Sequence, residues 1–271
     1  MTLLHDCLID LPSCETAAWI GGWHGTDRPV IERPAGVIFA ADHGVAQADV
    51  SAYPSNVTAS MLQAYSKGQA TINAFARAAG ADLVAVDVGV GHPTGDIRTE
   101  SAMSPERFDT VVQIAIDTID ALDCDLLVLG EMGIGNTTVA AAIAASLAVG
   151  ETASWVGRGT GVDDAGLARK REAVQQAQRR IVGITDPIEI LREVGGAELA
   201  ALAAATMAAR NRSIPVVLDG YITAASVLPL VMVEPSAIDH CIVGHCSAEP
   251  GHRKLLERLD KRPLLDLDMR L

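Results

Sequence analysis

Aromatic side chains are scarce in this chain: three Phe, three Trp and three Tyr make up 3% of it. A core with so few rings has to be filled by small aliphatic residues, and a base-stacking platform of the kind single-strand nucleic-acid binders use is missing. Basic residues are in deficit too, 21 Lys plus Arg against 34 Asp plus Glu, a net charge of −13. The long-range field of such a chain repels nucleic acid and anionic lipid, so neither is expected as a partner, and any anionic ligand has to be met by a local pocket. Uninterrupted hydrophobic runs are lacking: the greasiest stretch, 215–233, contains Asp219, Gly220 and two prolines, which excludes a spanning helix of about 20 apolar residues. Cysteines are few, odd in number and scattered at 7, 14, 124, 241 and 246, poor material for a disulfide framework and consistent with a reducing cytoplasm. The opening MTLLHDCLIDLPSC has no basic segment and places Asp6 and Asp10 where a signal peptide needs an apolar run, so no leader is expected.

What the chain does have is a rhythm. Short apolar runs at 36–41, 83–88, 126–129, 154–156, 216–218 and 240–243 end in glycine or a polar turn, and alanine-rich stretches of helical length follow them. Continuous apolar runs without polar alternation are what strands covered on both faces require. The pattern predicts an α/β fold with a doubly wound, mostly parallel sheet, and helices at 55–79, 105–121, 136–147, 163–182, 187–194, 197–210, 223–233 and 249–259. Residues 1–30 lack this rhythm and are expected to form part of a small helical domain or a lid, with the α/β domain over 31–271. The end, 266–271, reads as an abrupt stop without a closing helix.

In such a sheet the ligand crevice lies beyond the carboxyl ends of the strands, so the loops after the apolar runs carry the functional information. The loop Gly130-Glu131-Met132-Gly133-Ile134-Gly135-Asn136-Thr137-Thr138 ends a strand in glycines and starts a helix with amide and hydroxyl side chains. Exposed amides, close backbone approach and the helix dipole suit a phosphate there, although the spacing is neither a P-loop nor a dinucleotide fingerprint and a plain strand-to-helix turn reads equally. A second glycine loop, Gly157-Arg158-Gly159-Thr160-Gly161, precedes a helix capped by Asp163 or Asp164. Lys170 lies about two turns into that helix, within reach of the loop, with a solvated surface lysine as the alternative. Asp42-His43 directly follows a strand and either orients a substrate group or caps a turn. His240-Cys241 and His245-Cys246 invite a metal reading, but the spacing completes no ligand set; no metal and no cofactor are expected.

These segments together resemble the nicotinate-nucleotide:dimethylbenzimidazole phosphoribosyltransferase family. The resemblance is carried by ADHGV at 41–45, VSAYPSNVT at 50–58, DVGV at 87–90, GEMGIGNTT at 130–138, VGRGTGVDD at 156–164, LARKREAV at 167–174, VGGAELAAL at 194–202, LDGYITAAS at 218–226 and GHCSAEPGHRKLLERL at 244–259, collinear over 36–271. It implies a cytoplasmic homodimer with a Rossmann-like sheet and a small helical part from the chain ends. The implied reaction moves ribose 5-phosphate from nicotinate mononucleotide to 5,6-dimethylbenzimidazole or a related azole base, giving α-ribazole 5′-phosphate and nicotinate. It also implies catalytic roles for Glu131 and Lys170, with Gly133, Gly135, Asn136, Thr137, Thr138, Gly157, Arg158, Gly159 and Gly161 around the sugar phosphate. Ser51, Tyr53 and Met61 would wall the azole, and Asp42, His43, Asp219, Gly220 and Ser247 would line the crevice.

The chain departs from the family pattern in three places. The usual N-terminal Pro-x-Gly-Ser-Leu-Gly element is not found, Leu11-Pro12-Ser13 being at most a remnant. Ser60 stands where many relatives carry a base-contacting glutamine. The family's catalytic glutamate follows the equivalent of 267–271, which makes Glu131 the leading substitute base among the residues at hand. Two further readings therefore stand beside an active transferase: an impaired homologue that binds nucleotide or azole without turnover, and an unrelated α/β enzyme such as a nucleotide-dependent oxidoreductase.

Overall fold

Runs such as Gly36-Val37-Ile38-Phe39-Ala40-Ala41, with both side-chain faces apolar, bury the middle of a sheet, and in the computed structural model, which describes residues 12–148 and 150–269, they do. Six strands, β1 (Pro34–Ala41), β2 (Asp82–Gly89), β3 (Leu126–Met132), β4 (Val216–Leu218), β5 (Cys241–Ser247) and β6 (Pro263–Met269), form one sheet in the order β2-β1-β3-β4-β5-β6. Every pairing is parallel. The chain winds outward from β1 to β2, returns to the other side of β1 at β3, and then proceeds one way to the far edge. That reversal puts a topological switch point at the carboxyl ends of β1 and β3, where open α/β sheets bind ligands.

The helices are α1 (Pro12–His24), α2 (Asn56–Ser66), α3 (Thr71–Ala79), α4 (Pro105–Asp120), α5 (Asn136–Leu147), α6 (Asp164–Arg180), α7 (Pro187–Val194), α8 (Ala197–Asn211), α9 (Tyr221–Val233) and α10 (Pro250–Arg258). Alanine-rich α8 packs on β1, β2 and β3, and α5 packs on α9; small side chains let these buried helices approach closely, which is how a core with few aromatics is filled. Phe39 and Tyr221 are the large rings wholly inside. Among the described residues no helix is long and apolar enough to cross a membrane.

Four local expectations change. The run 154–156 is no strand: Thr152–Ser154 forms a short 3-10 turn, and Trp155 and Val156 are buried because this loop plugs the core, its Trp155 carbonyl accepting the Tyr221 hydroxyl at 2.9 Å. The helix foreseen over 55–79 is two, broken between Ser66 and Thr71, where Asn73 Oδ1 accepts the Ala70 N–H at 3.0 Å and restarts the chain. The abrupt finish is, as far as Met269, the edge strand β6, paired on one side with β5. Finally, α1 docks at the amino ends of the strands: Trp19 Nε1 donates to the Asp239 carbonyl (3.2 Å), His24 Nε2 to that of Asp125 (2.8 Å), and Trp23 packs edge-on against His240. Residues 12–24 thus lie at the rim opposite the crevice, which does not suit a lid over it; the rest of the foreseen N-terminal part, 1–11, lies outside the described residues.

Candidate active site

Strand β3 delivers Glu131 to the switch point and ends at Met132, after which Gly133, Ile134 and Gly135 turn the chain into α5. The turn has to pass over a buried pair, and only glycine fits there. A Cβ on Gly133 would stand 2.7 Å from His43 Nε2, 2.8 Å from Glu198 Oε1 and 2.9 Å from the Ala41 carbonyl. Gly133→Ala is therefore expected to destabilise the fold by about 1–3 kcal/mol through overpacking, measured as a lower midpoint in urea denaturation at unchanged m-value.

Glu131 is half-buried and accepts a short hydrogen bond from Asn136 Nδ2, the first residue of α5. Burial, and after it the carboxylates of Glu198 and Asp219, push its pKa up to about 8, against the lowering effect of the Asn136 bond. A carboxyl group titrating near 8 takes and releases a proton in the physiological range. Tyr65 on α2 shares this environment: burial and the charge of Glu131 raise its pKa. On the same helix Thr58 Oγ1 accepts the Ile134 N–H at 3.3 Å, and the spacing 58, 61, 65 puts Met61 on the face these two residues define. Helix α2 thereby roofs the turn after β3.

Next to Asn136, the partner of Glu131, opens a small cavity of about 40 Å³ between the two glycine loops. Its walls include Gly133, Gly135, Asn136 and Thr137 from one side, Arg158 and Gly159 from the other, with Ser51 and Lys170. Lys170 is 1% exposed, and its Nζ donates to Thr137 Oγ1 at 2.9 Å; it is a buried cation, so the solvated-lysine alternative does not hold. Burial pulls its pKa below the usual lysine range, partly offset by the nearby Glu249 carboxylate. The backbone of Gly159 adopts φ +54° directly over this cation, and a Cβ there would stand 3.1 Å from Nζ and 3.0 Å from Thr137 Oγ1. Glu249 closes the loop from behind by accepting the Gly159 N–H at 2.7 Å. Arg158 ties down the start of α6, donating to the Val162 carbonyl (2.9 Å) and to Asp164 (2.5 Å). A lysine amine, a hydroxyl and the N-terminus of a helix around one small space can hold a phosphate.

The remaining expected site residues fall into three groups. Thr138, Gly157 and Gly161 belong to the glycine loops but are not part of this wall; Thr138 is wholly buried. Tyr53 is half-exposed and donates its N–H to Ser51 Oγ at 3.3 Å. Asp42 accepts the Gly91 N–H at 2.8 Å and so ties the end of β1 to the turn after β2, while His43 Nε2 bonds Glu198 Oε1 at 2.7 Å, both side chains wholly buried. Asp219, Gly220 and Ser247 meet at the ends of β4 and β5. Asp219 lies 3.4 Å from His245 Nδ1, and this bond raises the His245 pKa. Ser247 donates its N–H to His252 Nδ1 at 2.9 Å; burial, then the neighbouring His245, depress His252 to about 4. Ser247 also lines a separate, larger hollow with Arg253 and Asp266. The smaller cavity is the better site candidate, because the buried Lys170 amine, the Thr137 hydroxyl and both glycine loops meet there.

Glu198 and Glu249 were not singled out by sequence reasoning. Each sits in a quoted segment, VGGAELAAL and GHCSAEPGHRKLLERL, next to a helix start, where an acidic residue ordinarily reads as a cap. His240 precedes β5, Cys241 begins it, and His245 and Cys246 lie toward its other end; among the described residues no cluster of three or more His, Cys, Asp or Glu is placed to hold an ion.

A family profile described as "Phosphoribosyltransferase" matches residues 14–271. The chain is 47% identical over 256 residues to the nicotinate-nucleotide–dimethylbenzimidazole phosphoribosyltransferase of Mesorhizobium japonicum, covering 94% of this chain and 76% of that one. It is 46% identical to the protein of the same name from Methylorubrum extorquens, covering 93% and 74%. The crystal structure of CobT from Thermus thermophilus superposes with a TM-score of 0.90 at 40% identity, covering 95% of this chain and 83% of that one. With matches that span nearly the whole chain, and with it the sheet and both glycine loops, the chain belongs to the nicotinate-nucleotide–dimethylbenzimidazole phosphoribosyltransferase family.

Proposed function

We propose that the chain transfers ribose 5-phosphate from nicotinate mononucleotide to 5,6-dimethylbenzimidazole or a related azole base, releasing nicotinate and forming α-ribazole 5′-phosphate. The observation that carries this reading is the placing of the buried Lys170 amine on Thr137 between two glycine loops, with Glu131, a carboxyl group of raised pKa, bonded to the wall residue Asn136. In this reading the sugar phosphate sits at the cavity, held by Lys170 and Thr137 at the positive end of α5. The nicotinate leaves as a neutral ring from a pyridinium, so departure from the anomeric carbon has a built-in electron sink. The azole attacks from the opposite face through one ring nitrogen, inverting the centre. As that bond forms, the proton on its other nitrogen becomes acidic, and Glu131 receives it. Holding both rings in line supplies much of the remaining acceleration.

The finer parts of the reading are a homodimer in the cytoplasm, with 31–271 as the catalytic α/β domain and 1–30 contributing to a small helical domain. Light scattering after gel filtration tests the dimer. For the reaction, the purified chain is incubated with nicotinate mononucleotide and dimethylbenzimidazole, and both products are followed by chromatography. Equal amounts of nicotinate and α-ribazole 5′-phosphate are expected; ligand binding without any nicotinate release refutes the transferase.

A further inference from the structure

Glu249 stands at the start of helix α10, where an acidic residue ordinarily caps the helix, yet its side chain makes no cap bond. It turns instead to the second glycine loop, and its Oε1 accepts the Gly159 N–H at 2.7 Å across 90 residues of sequence. Gly157, at the head of the same loop, lies against it: a Cβ there would stand 2.3 Å from Glu249 Oε2 and 2.7 Å from its Cδ. Little else holds the loop. Its other hydrogen bonds among the described residues stay local, running from the Gly161 and Val162 N–H groups and the Arg158 side chain to acceptors within 158–164. Gly157, Gly159 and Gly161 make up most of it, the last two with φ of +54° and +107°. A segment with that much backbone freedom keeps one shape only where something outside it fixes it.

What this tie fixes is the approach of the loop to Lys170. Gly159 is the residue that faces the amine, its Cβ position 3.1 Å from Nζ and 3.0 Å from Thr137 Oγ1. The residue bonded by Glu249 is thus the one that abuts the Lys170–Thr137 hydrogen bond. We propose that Glu249 is a positioning residue for phosphate binding: as the acceptor for the Gly159 N–H it holds the second glycine loop against Lys170 and Thr137, so that both walls of the small cavity stand in place before the anion arrives. It does so without lining that cavity; Glu249 borders the larger hollow, with Ser247 and Arg253. Its Oε2 is buried without a partner among the described residues, so the tie depends on one oxygen at one length of side chain. Such preorganisation shows as affinity, because a loop fixed beforehand has less entropy to lose on binding. The inference rests on the phosphate site of the proposed transferase reading and is independent of turnover.

Inorganic phosphate, nicotinate mononucleotide and dimethylbenzimidazole are titrated calorimetrically into the wild-type chain and into Glu249→Met, Glu249→Asp and Glu249→Gln. Methionine keeps the bulk and lacks the oxygen, and aspartate withdraws it by one methylene. Both are expected to weaken phosphate and nucleotide about tenfold, the order of the entropy of fixing one residue's backbone, and to leave dimethylbenzimidazole unchanged. Glutamine keeps an oxygen acceptor at the same reach and should recover most of the affinity. In turnover, Glu249→Met should raise KM for the nucleotide with kcat nearly unchanged, the mark of lost ground-state binding. Melting temperature and binding stoichiometry confine the comparison to folded protein. Where Glu249→Met does not fold, Gly157→Ala, whose methyl group would press on Oε2 from the loop side, is read in its place. Phosphate bound as tightly by Glu249→Met as by the wild type overturns the proposal, as does a loss in Glu249→Gln equal to that in Glu249→Met, or an equal loss for dimethylbenzimidazole. Phosphate affinities in the expected order, in a chain that releases no nicotinate, sustain the positioning role and refute only the transferase. A wild-type chain that binds neither phosphate nor nucleotide overturns both.

Discussion

Replacing Lys170 by Met weakens nicotinate mononucleotide binding by about ten- to a hundredfold, the worth of one charge-assisted hydrogen bond to phosphate of about 1.5–3 kcal/mol. Isothermal titration calorimetry measures it, and inorganic phosphate as a second titrant locates the loss at the phosphate rather than at the pyridine ring. Stability separates this outcome from misfolding. Lys170 is buried, its hydrogen-bond acceptor among the described residues is Thr137 Oγ1, and burial holds its pKa below the lysine range. The unliganded fold therefore carries the cost of a desolvated cation, and a methionine of similar length should leave the melting temperature unchanged or higher. The sign with pH is fixed by the same shift. Phosphate binding needs the charged amine, so affinity falls with rising pH sooner than an ordinary lysine would allow. In the net charge of −13 this buried cation has a further role. Long-range attraction cannot collect an anionic nucleotide on such a surface, so the affinity has to come from contacts at the bottom of the cavity. A loss of affinity in Lys170→Met equal for nucleotide and for free nicotinate would place the lysine elsewhere in the mechanism.

Much of this arrangement was legible in the residues, and the parts that were not have definite causes. Strand β1 and helices α5 and α7 announce themselves because apolar runs and caps begin and end where the elements do: Asn136 and Leu147 bound α5, and Pro187 and Val194 bound α7. The glycine loops were readable as turns where backbone comes close to something, and the close neighbours prove to be the His43–Glu198 pair and the Lys170 amine. Which atoms those would be was hidden, because Glu198 and Lys170 owe their burial to contacts with segments more than 30 residues away in sequence. The 154–156 run misled for the same reason. Its two apolar residues, Trp155 and Val156, are buried in a loop held by the Tyr221 hydroxyl, and no local pattern separates so short a run from a strand. Strand β6 failed in the opposite way, since its aspartates resemble a loop until the parallel edge of β5 is present to pair with. Asp42 reads as a crevice acid by position, and its bond to Gly91, the backbone on which it acts, lies 49 residues on.

Glu131→Gln is expected to lower kcat by about 10²–10⁴, the usual contribution of a positioned general base, with little change in the affinity for the nucleotide phosphate held by Lys170. Glutamine keeps the size of the side chain and can exchange hydrogen bonds with Asn136, so the site retains its shape while the proton acceptor is gone. The pH behaviour of the wild type gives a check on stability as well as on rate. In the folded chain Glu131 titrates at about 8, raised from 4.5 by burial and by its carboxylate neighbours. Below 4.5 both folded and unfolded chains carry the proton and stability does not change with pH on this group's account. Between 4.5 and 8 the unfolded chain has released a proton that the folded chain retains, so unfolding is progressively favoured as pH rises. Above 8 both are ionised and the slope vanishes. Stability attributable to Glu131 is thus fully present below 4.5 and lost by the time the pH passes the folded value, whereas activity rises over the upper part of the same range because the base must be ionised to act. Urea denaturation at a series of pH values should show this negative slope in the wild type and a flatter one in Glu131→Gln. The opposing directions follow from one cause: the burial that makes the carboxyl group a good proton acceptor near neutrality is what the fold gives up stability to maintain. If Glu131→Gln leaves both the rate and the slope as they were, Glu131 is an ordinary exposed acid, and the proton acceptor has to be sought on another strand end.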